Sequence, residues 1–431
     1  MLKRKIEDQL IAWKNKDRRM PLLVKGARQV GKTFIIDKFC RENYENYVYM
    51  NFEITPSYKQ IFDEDLDVDN LIKRISARTA QGKLIPGKTV MFFDEIQSCP
   101  QARTALKSFA LDGRFDIIAS GSLLGINYKQ VSSFPVGYVE HLELHSMDFE
   151  EYLWAIGITD KSVGDIKDYF NENKAIPVAI HEAMMKYFKE YIIVGGMPAV
   201  VSEFVASSNF ANVLTLQKGI VNNYLDDIAK YADGAEKVKA RACFLSIPKQ
   251  LAKDYKKFQY SVVERGASAR KFAGSLMWLY DAGIISFCHN LSKPELPLEG
   301  NSLSDVFKVY MRDTGLLMSM LEAGSQADII DGNLGIYKGA IYENIIADVF
   351  VKNDKKLYYF EQKSQIEIDF FIRIGKQLVA IEVKSAENTK SKSVTNIIQK
   401  YKIENAIKLS SKNMSSSGKI RYMPLYMAMF L

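Results

Sequence analysis

The sequence predicts an α/β protein with an N-terminal parallel sheet, a helical middle region and a second α/β unit at the C-terminus. Short apolar runs alternate with helical patterns over residues 1–148, which is typical of a parallel sheet with crossover helices. The pattern then becomes helical, two strand-like runs follow between residues 284 and 313, and a second α/β pattern begins beyond residue 326. A chain of 431 residues, 47% apolar and 25% charged, is long enough to form several such domains.

The N-terminal region, 1–148, contains five predicted strands separated by helical patterns. The strands are Leu22–Lys25, Tyr47–Glu53, Val90–Asp94, Phe115–Ser120 and Val139–Leu144, and the clearest helices are Lys32–Cys40, Val68–Gln81 and Ala102–Ala110. Ligands bind at the carboxyl ends of the strands in an open parallel sheet. The residues that follow each strand are therefore the candidates for a functional site.

The middle of the chain divides into two predicted regions. Residues 149–235 predict a helical lid or linker, which the paired glycines and the proline of Tyr191–Val201 interrupt. Residues 236–325 predict two helices followed by two strands, which is the order of a winged helix. These helices are Lys239–Asp254 and Ser268–Ala282, and the strands have the sequences IISFCHN and FKVYMRD.

The C-terminal region, 326–431, predicts a second α/β unit. Its predicted helices are Lys338–Val351 and Ser393–Tyr401, and its strand-like runs are Leu357–Glu361, Glu367–Ile374, Leu378–Lys384, Ala406–Leu409 and Tyr422–Met429. A turn at Gly375 joins the second and third of these runs, so we expect their side chains to lie next to each other.

Charge, cysteines and hydropathy exclude several classes of protein. The net charge of +7 permits nucleic-acid binding without arguing for it. Four widely spaced cysteines form no zinc or disulfide pattern and indicate a reducing compartment. The N-terminus is charged throughout, and no apolar run approaches the roughly 18 residues that cross a bilayer. A cytoplasmic location without a membrane partner is therefore expected.

A phosphate-binding loop follows the first predicted strand. Residues 26–33 have the sequence GARQVGKT, which matches G-x-x-x-x-G-K-[ST] between a strand and a helix. Backbone N–H groups of such a loop surround phosphate oxygens, and the following helix N-terminus adds partial positive charge. We expect Lys32 to reach the β- and γ-phosphates of ATP, and the Thr33 hydroxyl to ligate Mg²⁺.

Two acids end the third predicted strand, VMFFDE, at the same edge of the sheet. We expect Asp94 to hold Mg²⁺, directly or through water, and Glu95 to act as the general base that activates water. Ser120, or Ser122, could sense the γ-phosphate from the adjacent strand or could be an ordinary turn residue. No arginine finger is assigned; the arginines near the site in sequence are Arg28, Arg103 and Arg114. The predicted nucleotide-binding residues are Gly26, Ala27, Arg28, Gln29, Val30, Gly31, Lys32, Thr33, Phe34 and Ser120.

A second group of acids lies in the C-terminal region. Asp369 is expected to share a strand face with Glu367, opposite the apolar residues Ile366, Ile368, Phe370 and Ile372. A short turn would bring it close to Glu382 and Lys384, and Glu343 on the preceding helix is expected to point inward. Three carboxylates and a lysine could bind Mg²⁺ and position water against a phosphodiester. A solvent-facing charged strand pair, or a degenerate nuclease core kept as a scaffold, explains the same residues.

Nine segments of the chain carry a resemblance to a known family. In order they are PLLVKGARQVGKT, VMFFDEIQ, IIASGSLLG, LELHSMDFEEYLWA, YIIVGGMPAVV, FKVYMRDTGLL, GAIYEN, EIDFFI and AIEVKS. On these segments the sequence resembles the prokaryotic AAA-type, archaeal-ATPase-like P-loop ATPases whose C-terminal half is a domain of unknown function. The resemblance implies an ATPase core, a helical linker, a winged helix and a restriction-endonuclease-like domain.

The resemblance also implies roles for individual residues. ATP binding would fall on Gly26, Gly31, Lys32 and Thr33, metal binding on Asp94, and water activation on Glu95. The nuclease-like signature would fall on Glu343, Asp369, Glu382 and Lys384. The sequence departs from the family pattern at Tyr138, where many relatives carry arginine, so an arginine that acts in trans is not expected there.

The sequence therefore predicts an ATPase that uses ATP and Mg²⁺. In one hypothesis, nucleotide state drives DNA binding or processing through the C-terminal domains, and Arg265, Arg270 and Lys271 contact DNA phosphates. In the alternative, the protein is a signalling ATPase that assembles with a protein partner, and its nuclease-like domain is a non-catalytic interaction module. The same basic residues could also be an ordinary solvated face. A homo-oligomer is compatible with both hypotheses.

Overall fold

The computed structural model describes residues 2–79, 84–122, 137–231, 234–253, 256–331, 337–362, 366–384 and 392–431. The chain divides into two compact units, one formed mainly by Lys3–Ser146 and the other mainly by residues 147–431. Among the described residues, no helix is both long enough and apolar enough to cross a membrane.

The first unit is built on a five-stranded parallel sheet with the order β2-β3-β4-β1-β5. The strands are β1 (Leu22–Gly26), β2 (Asn46–Asn51), β3 (Thr89–Asp94), β4 (Asp116–Ser122) and β5 (Glu140–Glu143). The helices are α1 (Ile6–Lys14), α2 (Lys32–Asn43), α3 (Val68–Arg78) and α4 (Pro100–Asp112), with 3₁₀ turns at Pro56–Phe62 and Ile96–Ser98. The predicted parallel α/β sheet is thus confirmed.

The end of β3 is held by an aromatic cluster. Every residue of β3 is buried, as expected for a central strand covered on both faces. Phe93 makes edge-to-face contacts with Phe52, Phe62 and Phe109, at ring-centroid distances of 6.0, 5.7 and 6.0 Å. This packing fixes the backbone immediately before Asp94.

The second unit begins with a helical region. Asp148 and Glu151 form a capping box that starts its first helix. The helices before the sheet are α5 (Phe149–Ala155), α6 (Asp160–Glu172), α7 (Val178–Val194), α8 (Pro198–Ser207), α9 (Phe210–Tyr231), α10 (Gly234–Leu251), α11 (Tyr260–Val263) and α12 (Ala269–Asp281). The predicted helical region is therefore confirmed.

The paired glycines predicted to interrupt the helices lie between α7 and α8. A Cβ on Gly196 would lie 2.0 Å from the Met147 carbonyl oxygen, and one on Gly195 would lie 2.3 Å from Asp313 Oδ1. Gly195 also has a φ of 71°. Only glycine permits this close approach of the backbone.

The second unit also contains an eight-stranded mixed sheet with the order β12-β13-β11-β10-β9-β8-β6-β7. Its strands are β6 (Ile285–Leu291), β7 (Ser302–Met311), β8 (Leu357–Gln362), β9 (Ile366–Ile374), β10 (Gln377–Val383), β11 (Asn405–Ser410), β12 (Ser415–Ser417) and β13 (Ile420–Pro424). The accompanying helices are α13 (Thr314–Ser319), α14 (Ser325–Asp331), α15 (Tyr337–Lys352) and α16 (Lys392–Tyr401), and a 3₁₀ turn covers Leu425–Phe430.

Two features of this sheet differ from the sequence-based expectation. The strands β6 and β7 form the predicted antiparallel pair, but β6 also pairs in parallel with β8, so the pair is not a separate wing. The boundary predicted at residue 326 therefore divides strands that belong to one sheet. The run Tyr422–Met429 leaves the sheet at Pro424, whose missing N–H ends the ladder, and continues as a 3₁₀ turn.

Candidate functional site

The phosphate-binding loop connects β1 to α2 and has the backbone geometry of an anion site. Gly31 has a φ of 90° and immediately precedes α2, and Gln29 has a φ of 66°. Lys32 is the first residue of α2, and its Nζ donates hydrogen bonds to the Gly26 and Ala27 carbonyls at 3.0 and 2.8 Å. The lysine side chain therefore lies across the loop in which the phosphates are expected to bind.

The loop is held against the segment that follows β5. A Cβ on Gly26 would lie 2.2 Å from the Leu144 carbonyl oxygen, so glycine is required at this position. Arg4 donates to the Val30 carbonyl at 3.0 Å and to the His145 carbonyl at 2.7 Å. The buried guanidinium of Arg4 thus joins the loop to the strand end, a role that the sequence did not predict.

The Asp94 carboxylate is the centre of a hydrogen-bond cluster at the carboxyl edge of the sheet. It is only 1% exposed. Its donors are Thr33 Oγ1 at 3.1 and 3.2 Å, Tyr49 Oη at 2.9 Å, Asn51 Nδ2 at 2.9 Å, the Glu95 N–H at 3.2 Å, and Ser120 Oγ. The strands β2, β3 and β4 and the helix α2 all contribute to this cluster, because parallel strands end at the same edge.

Thr33 and Asp94 fit the requirements of a magnesium ion. Both offer oxygen ligands, and their side-chain oxygens lie 3.1–3.2 Å apart. Mg²⁺ is commonly held by one or two protein oxygens together with waters and substrate phosphates, so a larger cluster of acids is not needed. Among the described residues, no group of three or more His, Cys, Asp or Glu side chains is arranged to hold a metal ion.

Tyr49 and Asn51 are site residues that the sequence reasoning missed. Asn51 pairs directly with Asp94 in the β2–β3 register. Its Oδ1 accepts the N–H groups of Glu53 and Ile54 at 2.9 and 2.8 Å, which orients its amide toward Asp94. The signal available was position, since Asn51 is the last residue of the strand beside the acidic strand.

Glu95 lies beside Asp94 in a left-handed backbone conformation, with a φ of 54°. This conformation turns its side chain away from the direction that the strand would give it. Burial raises the pKa of Glu95, against the opposing effects of the Gln97 hydrogen bond and the Lys32 charge. The Gln97 amide donates to Glu95 Oε2. The buried Oε1 of Gln97 accepts no hydrogen bond from any described residue. Gln97 is a second residue of the site that the sequence reasoning did not single out.

Lys32 is 7% exposed, and burial lowers its pKa to about 8. The charges of Glu95 and Asp94 act in the opposite direction but do not outweigh burial. The ammonium group is thus costly to bury where it lies and would gain from an anionic ligand.

The remaining predicted residues occupy different environments. Thr33 and Phe34 are exposed, Phe34 by 58%, whereas Ser120 and Ser122 are buried. Arg114 precedes β4, at the opposite edge of the sheet, and forms ion pairs with Asp69 at 2.6 Å and Asp112 at 2.7 Å. Arg103 is buried. Neither arginine is placed as an arginine finger, and the Tyr138 ring instead packs under the Lys107 ammonium, 5.1 Å from its centroid.

The C-terminal acids lie close together within the second unit. Glu343 on α15 and Glu382 on β10 are 5% and 3% exposed, and Asp369 on β9 is 8% exposed. Asp369 Oδ2 accepts the Val383 N–H at 2.8 Å, which places it beside the Glu382–Lys384 segment as predicted from the turn. Glu367 remains exposed.

The predicted alternation along β9 is interrupted by an irregularity in its pairing with β8. Tyr358 pairs with Phe371, but Phe360 pairs with Ile368, so β9 contains one extra residue. Phe371 therefore joins Ile366 and Ile368 in one apolar cluster, while Phe370 contacts Tyr310 and Phe350. The expectation that Phe370 faces the same way as Ile366 and Ile368 is wrong, because the extra residue reverses the faces beyond Asp369.

Lysines form ion pairs with Glu343, Glu367 and Glu382. Lys308 on β7 is completely buried, with its Nζ 3.0 Å from Glu367 Oε1 and 3.8 Å from Glu343 Oε2. Lys256 pairs with Glu343 Oε1, and the Tyr310 hydroxyl donates to Glu343 Oε2 at 3.1 Å. Lys384 and Lys408 lie 2.9 and 3.4 Å from the two oxygens of Glu382.

These pairings control the protonation of the cluster. Burial alone would raise the pKa of Glu343, but the charges of Lys256 and Lys308 hold it below its usual value. Burial would lower the pKa of Lys308, but the charges of Glu343, Glu367 and Asp369 raise it well above its usual value. Burial, followed by the neighbouring Glu343 carboxylate, raises the pKa of Asp369.

Comparisons with known proteins agree with the geometry of the first unit. Residues 18–153 match a family model described as an AAA domain. This part of the chain, which forms most of the first unit, is therefore similar to AAA domains. Residues 185–327 and 338–427 match two families that are described only as domains of unknown function. A search of curated proteins finds no match to this chain.

Several solved structures match this chain at low identity and low TM-score. A Walker-type ATPase of Pyrococcus abyssi is 14% identical, with a TM-score of 0.43 and coverage of 74% of this chain and 96% of that one. The Aeropyrum pernix ORC1 protein in complex with DNA is 12% identical, with a TM-score of 0.33 and coverage of 77% and 92%. The Thermotoga maritima RuvB Holliday junction branch migration motor is 17% identical, with a TM-score of 0.30 and coverage of 66% and 89%. These TM-scores lie below 0.5, so nothing about function follows from them.

Proposed function

We propose that the AAA-type domain binds ATP with Mg²⁺ and hydrolyses it at the carboxyl edge of the parallel sheet. The observation that carries this proposal is the convergence of Lys32, Thr33, Asp94 and Glu95 on the end of the phosphate-binding loop. A cation, two metal ligands and a carboxylate of raised pKa are the groups that phosphoryl transfer to water requires.

Each residue has a separate role in the proposed reaction. The loop N–H groups and the Lys32 ammonium bind the phosphates, which replaces the carbonyl contacts of Lys32 with ionic ones. Thr33 and Asp94 hold Mg²⁺, which supplies charge neutralisation of the phosphate oxygens. Glu95 accepts a proton from the attacking water, and its burial brings its pKa closer to neutral pH. The Gln97 amide N–H positions Glu95. The Oε1 atom of Gln97, to which no described residue donates, can accept a hydrogen bond from that water.

Steady-state ATP turnover of three variants tests this assignment. Glu95→Gln should reduce kcat by about 10²–10⁴-fold while ATP still binds, because a general base contributes on that order. Lys32→Ala should weaken ATP binding itself. Glu53→Gln is the matched control, since Glu53 is exposed and its charge acts on Glu95 without belonging to the site. Glu95→Gln with the parental kcat would contradict the proposed base.

We further propose that nucleotide state is coupled to DNA binding through the segment 249–271. Supporting this is a concentration of exposed cationic side chains in the described part of that segment: Lys249, Lys253, Lys257, Arg265, Arg270 and Lys271. Arg270 and Lys271 lie on the first turn of α12, and Arg265 lies in the turn before it. Such side chains bind phosphates without reading sequence.

The coupling is tested by duplex-DNA binding with and without ATP across a salt series. Reversal of Arg265, Arg270 and Lys271 to Glu should weaken binding and reduce the salt slope by roughly 0.9 for each phosphate that is no longer neutralised. The control reverses Lys161 and Lys167, which are exposed on α6. If both the triple variant and the control bind DNA like the parent, and the chain instead recovers a protein in an ATP-dependent manner, the signalling alternative is favoured.

A further inference from the structure

The acids of the C-terminal cluster, three buried and one exposed, are matched by an equal number of buried or half-buried lysines. Four carboxylates and four ammonium groups are linked by ion pairs or by the influence of neighbouring charges: Glu343, Glu367, Asp369, Glu382, Lys256, Lys308, Lys384 and Lys408. The set is formally neutral without any added ion. Because a charge removed from water needs a partner of opposite sign, this balance explains how so many ionisable groups are buried together.

Most of the carboxylate oxygens that a divalent cation would need already face an ammonium group or a hydrogen-bond donor. One Glu343 oxygen contacts Lys256, and the other contacts Tyr310 and Lys308. Asp369 Oδ2 accepts the Val383 N–H, and both Glu382 oxygens face lysines. The donor set therefore does not fit the Mg²⁺ ion that a nuclease-like site implies.

The position of Lys308 distinguishes a lysine that neutralises buried carboxylates from one that contacts a phosphodiester substrate. Its side chain is 0% exposed, its Nζ lies 4.7 Å from the centroid of the Tyr359 ring, and it contacts two carboxylates from different elements. A phosphodiester could not reach an ammonium group that has no solvent-accessible surface. Lys384, the lysine of the nuclease-like signature, is partly exposed but is paired with Glu382 at 2.9 Å.

We propose that Lys256, Lys308, Lys384 and Lys408 are permanent counter-ions that occupy the place of a metal ion. The C-terminal sheet is then a folded module that binds no divalent cation at Glu343, Asp369 and Glu382 and cleaves no phosphodiester there. Coupling of ATP to a DNA or protein partner in this chain uses binding, not cutting, by the second unit. This inference does not depend on ATP hydrolysis by the first unit.

The first test counts Mn²⁺ bound to the full chain by electron paramagnetic resonance, without nucleotide. The measured quantity is the difference between the parent and Asp369→Asn, so an ion bound elsewhere cancels. Zero difference is expected. A loss of about one Mn²⁺ per chain in Asp369→Asn overturns the proposal. If Asp369→Asn does not fold, Glu382→Gln supplies the same difference.

The second test asks whether the lysines stabilise the fold by neutralising the carboxylates. Lys308→Met keeps the chain length of the lysine but leaves its carboxylates without that ammonium, and its denaturation midpoint should fall clearly. Combining Lys308→Met with Glu367→Gln removes both charges of the 3.0 Å pair and should recover part of the loss. An unchanged midpoint in Lys308→Met, or the same loss in both variants, overturns the counter-ion role. Asp369-dependent nicking of plasmid DNA by the parent with Mg²⁺ or Mn²⁺ would also overturn it.

Discussion

The Asp94 cluster and the Glu343–Asp369–Glu382 cluster both bury carboxylates beside the ends of strands, but their partners differ in charge. The side chains that donate to Asp94 are the uncharged hydroxyls and amide of Thr33, Tyr49, Asn51 and Ser120. Two of the C-terminal acids, Glu343 and Glu382, pair with ammonium groups, while Asp369 accepts a backbone N–H. Neutral donors orient a carboxylate and leave its charge available to a cation, whereas lysines cancel that charge. Our two proposals therefore assign the same kind of residue to a metal site in one unit and to a set of balanced charges in the other.

Two buried lysines make the comparison quantitative. Lys32 and Lys308 are both buried, yet burial lowers the pKa of Lys32, whereas three acids raise the pKa of Lys308. Lys308→Met should cost about 1.5–3 kcal/mol in the free energy of unfolding, because the buried Glu343 loses one of its two lysines and Glu367 loses its 3.0 Å partner. Lys32→Met should change stability little or increase it, since it removes a buried ammonium that donates to backbone carbonyls.

Urea unfolding of the two variants, followed by circular dichroism, checks this prediction. The substitutions are chemically identical, so the difference between them reports only the surroundings. Equal losses of stability would show that lysine burial, not pairing with acids, determines the effect. The comparison of the two clusters would then fail.

The pH dependence of ATP binding should reveal the different pKa shifts of Lys32 and Lys308. The pKa of Lys32 is lowered from 10.5 to about 8, so between these values the unfolded chain binds more protons than the folded chain. The contribution of Lys32 to stability therefore rises across that window. Phosphate binding favours the charged ammonium, so the Kd for ATP should increase above about pH 8, by up to about tenfold per pH unit.

Isothermal titration calorimetry of ATP between about pH 7 and 9.5, which spans the lowered pKa of Lys32, measures this slope. Lys32→Met is the control that should lack it. Lys308 keeps its proton throughout this range because its pKa is raised, so it adds nothing to the slope. A parental Kd that does not change with pH would indicate that Lys32 stays protonated in the loop, against its burial.

Much of the fold and of the candidate nucleotide site could be predicted because the relevant signals are local. The loop GARQVGKT and the strand ending in Asp94 and Glu95 are each predicted by a motif only a few residues long. Tyr49 and Asn51 were missed because their role depends on β2 lying next to β3 in the sheet. The sequence of a single strand does not predict which strand lies beside it. Arg4 was missed for the same reason, since its partners lie 26 and 141 residues away.

The C-terminal cluster was predicted in its acids and in Lys384, but not in its other three lysines. Glu343, Asp369, Glu382 and Lys384 follow from a strand–turn–strand pattern and a preceding helix. Lys308 lies on β7, which the winged-helix interpretation placed in another domain, so its pairing with Glu343 and Glu367 could not be foreseen. The bulge at Asp369 also lacks a local signal, because it depends on the register with β8.

The smallest expected effect comes from removing one neutral donor from Asp94. Burial raises the pKa of Tyr49 to about 12, so its hydroxyl is a donor at neutral pH. Tyr49→Phe keeps the ring contact with Phe92, at 5.4 Å between centroids, and leaves Asn51 Nδ2 on the same Asp94 oxygen. A hydrogen bond contributes about 0.5–1.5 kcal/mol net, so the kcat/KM for Mg²⁺-dependent ATP turnover should fall less than about tenfold.

Turnover of Tyr49→Phe and Asn51→Ala, measured over a magnesium titration, checks this expectation. Asn51→Ala should have the larger effect, because it also leaves the Glu53 and Ile54 N–H groups without their acceptor. A fall of more than about a hundredfold in Tyr49→Phe would mean that Asp94 depends on a single donor, as Glu367 depends on Lys308. Several replaceable neutral donors are what a carboxylate needs if it is to keep its orientation while a cation binds, and a modest loss in Tyr49→Phe is the result that distinguishes this arrangement from a fixed ion pair.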